Sequence, residues 1–225
     1  TVVSSPEADA ESVAVGIWVG AGGRHERRSL SGASHFLEHM LFKGTPTRSA
    51  LAISQAIEGR GGYLNAFTQE DSTCYYVRLP HEYLAQAVDV LADMYVNASL
   101  DEGDLARERD VILEEIKMYQ DLPQHLVQER LQEAMFKGHA LGRPLSGDEK
   151  TLRAMGRETL LRYKAQAYTP PSTVFAFAGR LTPEACVACV ERAYGHVAKR
   201  RGLGYKPVDG AVGQDRFTLE KKEIG

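Results

Sequence analysis

Residues 34–44, SHFLEHMLFKG, carry the clearest structural signal in the chain. Their apolar side chains recur at the three- and four-residue spacing of one helical face, and no glycine or proline interrupts them before the final position. The pattern predicts a buried helix over residues 31–43, with Ser31 or Ser34 as its N-terminal cap.

Two histidines and a glutamate stand together on this predicted helix. His35 and His39 are four positions apart, so both imidazoles lie on one face, where they can reach a single zinc ion. Glu38 is close enough to contact a metal-bound water. A zinc ion that activates water also needs a third protein ligand, which the sequence must supply elsewhere. A pair of core histidines is the alternative interpretation.

An acid-rich segment downstream offers that ligand. Residues 101–119 predict an amphipathic helix with many acidic side chains. Glu108 and Glu115 are seven positions apart and share a helical face with Ile112, whereas Glu114 is turned by about 100° from Glu115. Of Glu108 and Glu115, one suits a zinc ligand and the other a group that orients an imidazole. Helical phase alone does not show which of the two is the ligand.

The rest of the chain alternates strand-like and helical segments. Local patterns predict four strands, at residues 12–19, 63–68, 73–79 and 174–178, and five further helices, at residues 50–58, 81–97, 124–136, 151–167 and 183–194. The polar stretch between the second and third strands is typical of an antiparallel pair. The pattern indicates an α+β fold with a mixed, largely antiparallel sheet flanked by helices.

Length, charge and composition argue against several classes of protein. The 225 residues suffice for a sizeable core, and the net charge of −3 gives no general attraction to nucleic acid. The longest uncharged apolar run, residues 173–179, is far shorter than the about 20 residues of a membrane-spanning helix. Three unevenly placed cysteines favour a reducing compartment over a disulfide framework.

Three segments together resemble a known family. HFLEHMLFKGT (residues 35–45), GGYLNAFTQEDSTCYYV (61–77) and ERDVILEEIKMYQD (108–121) are similar, in that order, to the pitrilysin-type (M16) inverzincin peptidases. That family includes insulin-degrading enzymes, mitochondrial processing peptidase and smaller bacterial relatives. The resemblance extends over nearly the whole chain and implies one half of a pitrilysin-type two-domain clamshell.

The resemblance implies a role for each residue of the motifs. His35, His39 and Glu115 would hold one Zn²⁺ per chain. Glu38 would be the general base, and Glu108 would join the catalytic group as an acid behind the ligands. The implied reaction is endopeptidase hydrolysis of extended peptides or unstructured segments, with water activated by zinc and Glu38.

The resemblance also implies a substrate-binding strand. The family's substrate adds to the sheet as an extra strand, and the matching residues here are Leu64, Asn65, Ala66, Phe67 and Thr68. Strand addition recognises mainly peptide backbone, which suits a peptidase that tolerates many sequences. A turn or strand-end role without substrate contact is the alternative for Asn65.

Members of the family pair two related halves, and this chain resembles the zinc-bearing one. We expect residues 1–200 to form the zinc-bearing peptidase domain, and the glycine-rich residues 201–225 to be a linker and the start of a missing or separate second half. That half, in cis or as another chain, would be the partner in a homo- or heterodimer. We expect the bacterial cytoplasm, with the mitochondrial matrix as the alternative.

Two other functions remain open at this point. A structural or regulatory subunit would keep the fold without turnover, but the intact histidines and acids of the motifs argue against it. Cys186 and Cys189 form a C-x-x-C that would suit a redox or structural zinc protein. They lie on a predicted helix without a second pair, so small buried side chains are the better interpretation.

Overall fold

A five-stranded sheet forms the centre of the chain, of which the computed structural model describes residues 1–204 and 207–208. Its strands are β1 (Val2–Pro6), β2 (Ser12–Val19), β3 (Tyr63–Thr68), β4 (Thr73–Pro80) and β5 (Thr173–Gly179). They lie in the order β1-β5-β2-β4-β3; β1 and β5 run parallel, and the other neighbouring pairs are antiparallel. The largely antiparallel sheet predicted from the sequence is confirmed.

Helices pack against this sheet and against one another. Within the described residues they are α1 (Ala33–Leu41), α2 (Ala50–Ile57), α3 (Leu84–Asn97), α4 (Glu102–Gln120), α5 (Pro123–Met135), α6 (Glu149–Ala154), α7 (Arg157–Ala167) and α8 (Pro183–Tyr194). α3 contacts β2 and β4, α8 contacts β1 and α3, and α1 contacts β3, β4 and α4. The predicted α+β architecture is therefore confirmed.

One predicted helix is in fact two. The segment expected to be a single helix over residues 151–167 is divided into α6 and α7 at Met155 and Gly156, whose backbones are extended. The guanidinium of Arg109 donates to the carbonyl oxygens of Leu152 and Met155, both at 3.0 Å. Carbonyls at the end of α6 thereby keep hydrogen-bond partners, which stabilises the break.

The sequence does not predict β1, which the structure places at one edge of the sheet. VVSSP is short, half polar and partly exposed at every residue, so it has no apolar periodicity of its own. Its register, from Val2 beside Phe175 to Pro6 beside Gly179, comes from pairing with a strand near the other end of the chain. Such a pairing leaves no local signal.

The two faces of the sheet differ in burial. Along β2, Val15 and Ile17 are fully buried under the helices, whereas Ala14 and Trp18 are exposed on the opposite face. This alternation is that of a strand with one face on a core. β3 ends the sheet on the other side from β1 and has β4 as its one partner strand among the described residues.

The predicted linker at residues 201–225 lies largely outside the described residues. In the part of the chain that the structure describes, no helix is long and apolar enough to cross a membrane. Cys186 and Cys189 are buried free thiols, which confirms their interpretation as buried side chains.

Candidate metal centre

α1 presents both histidines of the motif on one face. Phe36, Leu37 and Met40 are fully buried, so the apolar side of the helix is fixed in the core. His35 and His39 lie on the side that faces α4, with their ring centroids 4.7 Å apart. The i, i+4 spacing thus brings the two imidazoles together as helical geometry requires.

Glu115 of α4 completes a cluster of three donor groups. Its Oε2 lies 3.8 Å from His35 Nε2 and 3.5 Å from His39 Nε2. The three donor atoms lie within 4.8 Å of one another. A tetrahedral zinc ion with bonds of about 2.0 to 2.2 Å holds its ligand atoms roughly 3.3 to 3.6 Å apart. Two imidazole nitrogens and one carboxylate oxygen at these separations fit zinc.

The neighbouring acid, Glu114, points elsewhere. Its side chain is 72% exposed and pairs with Lys117 at 2.7 Å on the outer face of α4. Helical phase separates the two adjacent acids, as expected from their turn of about 100°. Only Glu115 of this pair contacts the histidines of α1.

The surroundings set the charge states of the three donors. Burial, together with nearby His39, lowers the pKa of His35 to about 4, so its ring is neutral at neutral pH. Burial alone would lower the pKa of His39, but hydrogen bonds with Glu115 and Glu108 outweigh it and raise that pKa. The hydrogen bond from His39 also lowers the pKa of Glu115 despite partial burial.

Glu108 lies behind the cluster and orients His39. Its Oε2 is 3.2 Å from His39 Nδ1, and its Oε1 is 2.6 Å from the ammonium of Lys43. A carboxylate on Nδ1 holds the proton there and leaves the Nε2 lone pair directed at the metal position. Glu108 therefore contacts the ring nitrogen of His39 opposite the one that lies near Glu115.

Glu38 stands beside the cluster with its own partner. Thr68 Oγ1, at the end of β3, donates to Glu38 Oε2 at 2.5 Å. Burial raises the pKa of Glu38, while the hydrogen bond from Thr68 and the nearby His39 lower it. The net shift is upward, toward the range where a carboxylate works well as a general base.

A cavity of about 310 Å³ opens next to the three donor groups. It is lined by His35, Glu115 and Tyr119 on one side and by polar residues of α5 on the other. Tyr119 donates a hydrogen bond to Glu115, and its ring packs against that of His125 at a tilt of 40°, with centroids 4.7 Å apart. A cavity of this size beside a cluster of polar groups is a candidate binding site.

The predicted substrate strand reaches the centre at one residue. Of its five residues, Thr68 contacts Glu38, whereas Asn65 bonds the hydroxyl of Tyr63 and Phe67 packs on Trp18 on the outer face. Leu64 and Ala66 pack on the core. Side chains of β3 other than Thr68 therefore lie away from the cluster, and the strand's other backbone edge has no partner strand among the described residues.

Some supporting residues are missing from the sequence-based set. Lys43 follows His39 by four positions and Tyr119 follows Glu115 by four, so helical spacing could have pointed to both. The predicted caps of α1, Ser31 and Ser34, are wrong, because the helix begins after Gly32, which makes no side-chain cap. Glu26, which lies outside the helix, caps it instead. No sequence pattern next to the helix indicates this cap.

The motifs and this geometry agree with an independent match of the sequence. Residues 1–149 fit the family model described as Insulinase (Peptidase family M16). The chain belongs to peptidase family M16. The resemblance drawn from the three motifs is therefore confirmed.

Relatives of this M16 chain include a Bacillus subtilis protein named "uncharacterized zinc protease YmxG". The two are 42% identical over 194 residues, which cover 86% of this chain and 47% of that protein. This chain therefore spans about half the length of the curated relatives it matches.

Solved structures share the fold of this M16 chain. A protease from Helicobacter pylori matches with a TM-score of 0.83 at 21% identity, over 93% of this chain and 50% of that one. A domain from Pseudomonas fluorescens, described as a peptidase M16 inactive domain, matches with a TM-score of 0.83 at 19% identity, over 91% of this chain and 50% of that one. At such identities the likeness concerns the fold alone.

Proposed function

We propose that this chain is the zinc-bearing catalytic half of an M16 endopeptidase that hydrolyses extended peptides or unstructured segments. The observation that carries the proposal is that His35, His39 and Glu115 each offer a donor atom within 4.8 Å of the other two, with Glu38 near His39 and Glu115. One zinc ion per chain fits these donors, since three protein ligands leave a fourth position open.

The chain's own residues supply the proton transfers of the reaction. Zinc bound to the three donors would polarise the peptide carbonyl and acidify the attacking water. Glu38 accepts a proton from that water as its oxygen bonds to the carbonyl carbon, and then gives the proton to the leaving amine nitrogen. Burial, which raises the pKa of Glu38, favours both steps because the group holds a proton more readily between them.

The edge of β3 suits an extended substrate. Thr68 joins the end of that edge to Glu38, so a peptide added as a strand there would pass next to the general base. Backbone hydrogen bonds would fix the peptide, and the cavity of about 310 Å³ would take a side chain. A second half, in cis or in another chain, would cover this open surface.

A non-catalytic subunit of the same fold is the competing function. The similar Pseudomonas fluorescens domain described as inactive shows that the fold alone does not decide activity. The arrangement of His35, His39, Glu115 and Glu38 is what favours catalysis here. A non-catalytic subunit has no physical need to keep these side chains in this arrangement.

Replacing Glu38 by glutamine tests the proposal directly. The amide keeps the shape of the side chain but cannot accept the proton, so we expect bound zinc to remain while peptide hydrolysis falls by about 10²- to 10⁴-fold. Zinc content is measured by atomic absorption and hydrolysis on an unstructured peptide, in the presence of the second half. Glu114→Gln is the matched control and should leave both unchanged; normal turnover in Glu38→Gln would refute the assignment.

A further inference from the structure

The N-terminus of α1 is capped by a residue that lies outside the helix. Gly32, the N-cap residue, has φ of 91° and no side chain with which to cap. The carboxylate of Glu26 takes its place: Oε2 accepts the N–H of Gly32 at 2.8 Å and Oε1 that of Ser34 at 2.7 Å. A Cβ on Gly32 would lie 2.5 Å from the carbonyl oxygen of Ser146, so a capping residue cannot replace the glycine.

His35 depends on this first turn more than His39 does. It is the third residue of α1, in the turn that Glu26 caps, whereas His39 lies in the last turn of the helix and is also oriented by Glu108. The Nδ1 of His35 is buried and has no hydrogen-bond partner among the described residues. The position of the His35 ring is therefore set by the backbone of the first turn, where helices fray unless they are capped.

Glu26 is itself held firmly. It is 2% exposed, and the Ser34 hydroxyl donates to its carboxylate. That hydroxyl lies 2.8 Å from the hydroxyl of Tyr163 on α7, and Arg143 donates to the Glu26 carbonyl at 2.6 Å. Two distant parts of the chain thus hold the backbone of Glu26 and the hydroxyl that donates to its carboxylate.

We propose that Glu26 is a positioning residue of the metal centre, which places His35 Nε2 by holding the first turn of α1. This proposal rests on the proposed zinc site but concerns a residue that touches neither metal nor substrate. The competing view is that Glu26 only adds general stability, as any helix cap does.

A matched pair of variants separates the two views. Glu26→Gln puts an amide NH₂ against one of the two backbone N–H groups. Asp101→Ala removes the comparable cap of α4, where one carboxylate oxygen accepts the N–H of Gly103 at 2.8 Å and of Asp104 at 3.2 Å. That cap lies about four turns from Glu115, so its loss should not move the ligand.

The readouts are the zinc Kd by competition with a chelator and the visible absorption spectrum of the cobalt-substituted protein. We expect Glu26→Gln to raise the zinc Kd by about 10-fold or more and to change the cobalt spectrum. Asp101→Ala should lower the melting temperature yet keep the Kd within about 2-fold and the spectrum unchanged. Wild-type values for both readouts in Glu26→Gln, or equal losses in the two variants, would overturn the proposal.

If the Glu26→Gln variant does not fold, a measurement on the wild-type protein still tests the proposal. The Gly32 and Ser34 amides donate hydrogen bonds to the Glu26 carboxylate. Because coupling between zinc binding and the capped turn is reciprocal, zinc should slow hydrogen exchange of these two amides. Exchange of both amides that is the same with and without zinc would overturn the proposal. This outcome is distinct from failure of the proposed function, in which the protein binds no zinc at all.

Discussion

Glu114 and Glu115 are adjacent in sequence yet stand in opposite surroundings. Glu115 contacts His35 and His39, while Glu114 pairs with Lys117 in solvent. An exposed pair of this kind contributes little to stability, so Glu114 is a suitable reference for a charge-removing change at Glu115.

We predict that Glu115→Gln weakens zinc binding far more than Glu114→Gln. The first variant removes a charged donor oxygen, so it should raise the zinc Kd by more than the roughly 10- to 100-fold that is typical of groups that only support a ligand. The second removes a surface charge and should leave Kd nearly unchanged. Competition with a chelator measures both, and equal affinities would show that Glu115 is not a ligand.

At the scale of elements, the Glu26 carboxylate that caps α1 makes the stability of the fold depend on pH. Burial raises the pKa of Glu26 from its ordinary value of 4.5 to about 7, although hydrogen bonds from Ser34 and Gly32 and the charge of Arg143 lower it. The hydroxyls of Tyr163 and Tyr168 also lie near it. The folded protein therefore holds a proton on Glu26, between pH 4.5 and about 7, that the unfolded chain has lost.

The stability that Glu26 contributes is thus fully present below pH 4.5 and is lost as the pH rises through about 7. We predict that the free energy of unfolding of the wild type falls, relative to that of Glu26→Gln, by about 2 to 3 kcal/mol between pH 5 and pH 8. Urea denaturation of both zinc-free proteins measures the difference, in which all other titrating groups cancel. A difference that stays constant with pH would contradict the prediction.

The edge strand β3 leads to a second prediction at this scale, about how a peptide substrate pairs with it. Alternate N–H groups of a peptide strand added to β3 would point toward it, and the others away. We predict that N-methylation at the inward positions of a peptide substrate lowers kcat/KM by about 10-fold or more. The same change at the outward positions is the control and should have little effect. A loss that does not alternate along the peptide would argue against strand addition.

At the scale of the whole molecule, the candidate centre is open on one side. The chain spans about half the length of its relatives, and the cavity beside Glu115 and the free edge of β3 lie on the surface of the described part. Holding substrate and water in place is worth up to about 7 to 11 kcal/mol in catalysis, and a water-excluded site strengthens stabilisation of the oxyanion.

We therefore predict that residues 1–225 expressed alone bind zinc but cleave peptides poorly. Supplying the second half, in cis or as a separate chain, should restore activity because it orders the substrate and excludes water. The assay is kcat/KM on an unstructured peptide with and without that half, with Glu38→Gln as the background. Equal values would show that the second half is dispensable.

Elements with local signals are predictable from the sequence alone. The apolar spacing of residues 34–44 predicts α1, the alternation in residues 12–19 predicts β2, and helical phase separates Glu114 from Glu115. The structure places all of these where periodicity puts them. The reason is that helix and strand patterns repeat within a few residues, so each segment carries its own evidence.

The tertiary structure alone decided what depends on residues far apart in the chain. Packing of α1 on α4 brings Glu115 to 3.5 Å from His39, and only the order of the strands places the edge of β3 beside Glu38. The edge strand β1, the break before Gly156 and the cap supplied by Glu26 likewise arise from distant partners. Such contacts gain their free energy only when the whole chain is folded, so no short stretch of sequence reveals them.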